Sequence, residues 1–87
     1  MIKGEKLKTD LAKIVTKYGF NADSIEFFED SCSWYIPHYT PEMHLEIKSL
    51  CSLLGIDPNG VDWSAEDIEV FVTDEWYDTD YDEEFVG

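Results

Sequence analysis

The chain has 87 residues, 20 Asp and Glu against 6 Lys and Arg, a formal net charge of -14, and 44% hydrophobic and 15% aromatic residues. That acidity excludes nucleic acid and anionic membrane surfaces as partners, since both repel it. The aromatic content excludes an acidic disordered tail, and the length allows one small core without a second domain.

The first helix is expected from Leu7, Leu11, Ile14, Val15 and Tyr18, which form one apolar stripe stopped by Gly19. A second helix is expected after Asn21 or Asp23, through Ile25, Phe28 and Cys32 to Trp34. Pro37 and Pro41 bracket a short link. A third helix then opens with Thr40 as N-cap and Pro41 in its first turn. It buries Met43, Ile47, Leu50, Cys51 and Leu54 and ends at Gly55. Asp57-Pro58-Asn59-Gly60 has the chemistry of a turn. Ser64-Ala65-Glu66-Asp67 resembles a capping box for a fourth helix with Ile68, Phe71, Val72 and Trp76 inward. The expected fold is therefore all-α, a single acidic domain over residues 1–87 with about four helices and a flexible acidic tail over 77–87. The alternative is α+β, with residues 68–72 as a strand, because Ile68 to Val72 also alternates.

No run is apolar enough to cross a membrane or to act as a signal peptide, and two cysteines are too few for a disulfide scaffold. A cytoplasmic protein with reduced thiols is expected.

Residue spacing argues against a metal, a cofactor or catalysis. Asp78-x-Asp80-x-Asp82 starts like an EF-hand loop, but Glu83 stands where glycine is required. Cys32, His38, His44 and Cys51 are spaced too evenly for a zinc knuckle, and both cysteines fall on apolar stripes. An acidic setting opposes thiolate activation. The chain is read as no enzyme, with no cofactor and no metal.

The charge pattern carries the functional reading. From Tyr18 to Gly87, 18 acidic side chains face one lysine, and residues 57–87 hold twelve carboxylates and no base. Carboxylates at i, i+3 and i+4 of a helix stand about 5–6 Å apart, close to the spacing of phosphates along a strand. Glu26, Glu29 and Asp30 would form one such set, Glu42 and Glu46 another, and Asp67, Asp74, Glu75 and Asp78 a third. The expected partner-binding face comprises these residues with Asp62, Glu66, Glu69, Asp80, Asp82, Glu83 and Glu84, and with Tyr77 and Tyr81 as aromatic anchors. The expected partner is a basic nucleic-acid-binding protein, met as a monomer or homodimer.

Ile25 to Asp30, then Ile36-Pro37-His38-Tyr39, then a helix closing in Gly55-Ile56-Asp57 resembles the central part of the phage "overcome classical restriction" protein and related small acidic phage proteins. The resemblance spans about 33 residues. It implies an all-helical DNA mimic, phage-encoded and active in the host cytoplasm, that occupies the cleft of a restriction-modification enzyme; a CRISPR effector or related nuclease would be open to the same strategy. The alternative is an immunity protein that neutralises a basic nuclease toxin. Asp23-Ser24-Ile25-Glu26 is similar to the Glu-Ser-Ile element of uracil-DNA glycosylase inhibitors. Those proteins need a sheet with an apolar pocket, which is not expected here.

Overall fold

The computed structural model describes residues 3–76. Two helices form where periodicity and caps coincide. Helix α1 (Lys3–Lys17) buries Leu7, Leu11 and Val15, and Gly19 follows it at φ 88°. Helix α2 (Pro41–Leu54) starts with the Thr40 hydroxyl accepting from the Met43 amide at 3.0 Å and stops at Gly55, φ 80°. Both ends close with the amide that follows the glycine reaching back five residues: Phe20 to Val15 at 3.1 Å and Ile56 to Cys51 at 2.8 Å. Only a left-handed residue between permits this closure, which is why glycine stands at both positions.

Among the described residues the extended elements form a sheet, so the four-helix bundle is overturned and the fold is α+β. Strands β1 (Glu26–Phe28), β2 (Ser33–Ile36), β3 (Val61–Trp63) and β4 (Ile68–Phe71) make one antiparallel sheet in the order β1-β2-β4-β3. Single 3₁₀ turns at Ala22–Ser24, Pro58–Gly60 and Asp74–Trp76 join or follow them. Residues 22–34, expected as a second helix, form a 3₁₀ turn and then most of a hairpin. Their 3- and 4-residue apolar spacing imitates a helix, but aromatic and β-branched residues suit a pleated, half-buried surface better. The turn of that hairpin places Cys32 at φ 55°, with its thiol donating to the Val72 carbonyl.

Residues 64–76, expected as a fourth helix, also fold otherwise. The Ser64 hydroxyl accepts from the Glu66 and Asp67 amides at 3.1 and 3.2 Å and donates to Asp67 Oδ1 at 2.8 Å. The Ser64 amide donates to the Asp67 carbonyl at 2.9 Å, closing the β3–β4 hairpin. The capping chemistry is present but ends a strand pair. In consequence Phe71, expected inward, points to solvent, while Val70 is buried.

A period of two then sorts the strand residues. Phe27, Trp34, Ile36, Val61, Ile68 and Val70 share the inner face and pack with Leu7, Leu11, Val15, Met43, Ile47 and Cys51 of the helices in one core. Trp34, 1% exposed, lies at its centre and donates its indole N–H to the Trp76 carbonyl at 3.0 Å. Both helices thus cover one face of the sheet, and among the described residues no helix lies on the other face. No helix among the described residues is long and apolar enough to cross a membrane.

An acidic open sheet face as candidate interface

Glu26, Phe28, Ser33, Tyr35, Asp62, Glu69 and Phe71 occupy the strand positions that alternate with the core, and so define the open face. Strand register aligns Glu26 with Tyr35, Tyr35 with Glu69, and Glu69 with Asp62, one row across all four strands. At about 4.8 Å between strands, the row spans about 14 Å. Glu69 and Asp62 are directly opposed like charges, an arrangement that weakens a sheet. Within the face itself no base offsets them: all six lysines lie on the helices, five on α1 and Lys48 on α2.

Aromatic rings fill the space between the carboxylates. The Phe28 and Tyr35 rings stack at 5.2 Å and 22°, and Phe71 is 38% exposed. Ser33 is buried between the Phe28 and Phe71 positions and donates its hydroxyl to Glu69. The Tyr35 hydroxyl donates to Asp67 at 3.0 Å. That hydrogen bond, then burial, then the negative charge of Asp67, Glu26 and Glu69, hold the hydroxyl above its ordinary pKa. Three carboxylates therefore converge electrostatically on one ring. Glu29 and Asp30 are exposed in the β1–β2 turn and Glu66 in the β3–β4 turn, so acidic residues continue the face at both ends of the strands.

The other expected interface residues do not join it. Glu46 of α2 accepts from Lys17 and from the Tyr18 hydroxyl, which together lower its pKa and tie the two helices. Glu42 is exposed on the first turn of α2. Glu75 pairs with Lys3 at 2.9 Å, which lowers its pKa, and Asp74 opens the last 3₁₀ turn. Glu26, Glu29 and Asp30, expected on one helix face, lie on a strand and its turn. Tyr77, Asp78, Asp80, Tyr81, Asp82, Glu83 and Glu84, with the rest of the tail expected over 77–87, lie outside the described residues. Phe28, Tyr35 and Phe71 were missed because the helical reading of 25–34 and 68–76 hid their common face. The signal that reveals them is the alternation Trp34/Ile36 against Ser33/Tyr35.

The candidate zinc ligands serve other ends. Burial pushes the Cys51 thiol up to about 11, as expected of a core cysteine. His38 stacks flat on Phe20 at 4.3 Å. Among the described residues no group of three or more His, Cys, Asp and Glu is placed to hold a metal ion.

His44 is buried against Tyr39 and the 57%-exposed Trp63, and its Nε2 has no hydrogen-bond partner. Burial, helped by Lys48, lowers its pKa from 6.5. The folded chain therefore holds the neutral imidazole, while the unfolded chain takes up a proton near pH 6.5, so stability falls as pH drops below that value. His44→Leu is expected to flatten this acid limb and to raise stability at pH 7 by about 1 kcal/mol, because no buried polar atom is left unpaired. Urea midpoints at pH 7 and pH 5 for both proteins check it.

Compared with protein-family models, with curated proteins and with solved structures, the chain matches none.

Proposed function

We infer that the chain is a DNA-mimic inhibitor, which blocks a defence enzyme of its host by filling the basic nucleic-acid-binding cleft. The enzyme class is a restriction-modification enzyme, a CRISPR effector or a related nuclease. One observation supports the reading above the rest: the lysines are confined to the helical layer, and the open sheet face carries Glu26, Asp62 and Glu69 with no base among them. A fold selected only for stability would not oppose Asp62 to Glu69 across two strands and leave that charge uncompensated within the face.

A cleft built to displace counterions from phosphates attracts such a surface by the same electrostatics, with fast and salt-sensitive association. The mimicry rests on a sheet and its turns. The helical arrays expected at 26–30 and, as far as the described residues reach, from 67 to 76 do not form, and the all-helical architecture implied by the antirestriction resemblance is set aside with them. The link Pro37-His38-Tyr39 and the helix end Gly55-Ile56-Asp57 still flank α2 as that resemblance implies. The sheet meets half of the objection to the glycosylase-inhibitor likeness, which also needs an apolar pocket. Its Ile25, however, belongs to the core and is not available as a contact.

The test is capture of partners from host lysate on the immobilised protein, followed by elution with duplex DNA or with salt. The expected result is a nucleic-acid-binding enzyme released by both. Partners released by neither would end the proposal, and a secreted nuclease toxin as the captured protein would replace it with the immunity reading.

A further inference from the structure

Phosphates do not stack, so a surface that only copied the charge of DNA would have no use for rings. The open face nevertheless sets the half-buried Phe28 and Tyr35 and the exposed Phe71 among its carboxylates. Rings on an open four-stranded sheet are able to stack nucleic-acid bases. Here the neighbouring charges repel the phosphates those bases would bring.

The pattern matches a different planar group. A guanidinium is flat, weakly hydrated, and able to stack on a ring while its edge donates in parallel to a carboxylate. An ammonium is compact and strongly hydrated, and gains less from a ring at a wet surface. Tyr35 has Glu26 on one side and Glu69 on the other, each directly across a strand pair, and Phe28 stacked beside it. Cross-strand partners stand about 4.5–5.5 Å apart, within reach of a guanidinium resting on the ring.

We propose that the open sheet face docks an arginine-bearing protein surface and takes its arginines in preference to lysines, on a Phe28–Tyr35 floor between the Glu26 and Glu69 walls. The inference rests on the proposed function and adds the chemistry of the partner. A second copy of the chain would bring equal negative charge to the face, and so is not the occupant.

The test compares two nine-residue peptides of equal charge, all-arginine and all-lysine, by calorimetry on the full chain at fixed ionic strength. The native protein is expected to bind the arginine peptide about five- to tenfold more tightly, the contribution of a cation over a ring. Replacing Phe28 and Tyr35 together by Leu should reduce arginine binding to the lysine level, whereas Tyr35→Phe should keep the preference. Amide shifts of the native protein on adding the arginine peptide should cluster on residues 26–28, 33–36 and 68–71; this holds whether or not the double variant folds. Equal affinity for the two peptides, or shifts confined elsewhere, overturns the arginine inference and leaves acidic docking standing. No binding of either peptide overturns both. Binding of single-stranded oligothymidine would show the face to be a base-stacking platform and overturn it as well.

Discussion

A chain carrying Glu26→Lys together with Asp62→Lys is expected to fold at least as stably as the native protein and to lose its partner. Both residues are exposed, and both lie on edge strands. Asp62 stands directly opposite Glu69, so the new lysine there turns a repulsive cross-strand pair into an attractive one. Such pairs contribute roughly 0.2–1 kcal/mol. Facing a basic cleft, two reversed charges replace attraction with like-charge contact, which costs several kcal/mol, or about a hundredfold or more in affinity. The two effects have opposite signs, and that is their use. A surface shaped by folding alone would show no loss of binding, and a damaged fold would show lower stability. Urea unfolding and a DNA-competition assay on the captured enzyme, made on the same preparation, separate these outcomes. Unchanged competition by the stable variant would remove the sheet face from the interface.

The second large effect is on the fold that holds the face. Trp34→Ala empties the centre of the core, removes the ring tilted against Phe27 at 4.9 Å, and leaves the Trp76 carbonyl without its donor. Aromatic-to-alanine changes of this kind cost about 3–5 kcal/mol. A domain of this size has roughly 4–13 kcal/mol in all, so the variant should be largely unfolded or close to it. Trp34→Phe keeps a ring but not the N–H, and should lose only about 1–3 kcal/mol, from the unpaired carbonyl and the smaller ring. Far-UV circular dichroism during urea titration checks both. Tyr35 belongs to the same strand and faces the other way, so Trp34→Ala should abolish binding without touching the interface, while Trp34→Phe should retain it.

How much of this was legible in the sequence depended on the length of the elements. Helices α1 and α2 have 15 and 14 residues, enough for the apolar stripe to repeat and for caps to appear at the ends. The strands have three or four residues each, and over so short a run Ile25, Phe28 and Cys32 satisfy a helical spacing as well as any other. Turn chemistry misled in two ways. The β1–β2 turn gives its left-handed position to Cys32, where glycine or asparagine would have announced it. At the other hairpin, a serine bonding the amides two and three residues ahead is the same local arrangement whether a helix or a strand follows. The acidity was read correctly as a quantity. Its placement was not, because only cross-strand register brings residues 26, 35, 62 and 69 into one row.

Among the described residues the sheet has two unpaired edges, β1 and β3, each three residues long and each bearing an exposed carboxylate, Glu26 or Asp62. A protein that inhibits by occupancy has to be made in amounts that match its target, and crowded copies of an open antiparallel sheet tend to add to one another strand by strand. Short edges that carry like charge defeat that growth. The residues proposed to attract one partner therefore also oppose strand-by-strand addition of one molecule to another.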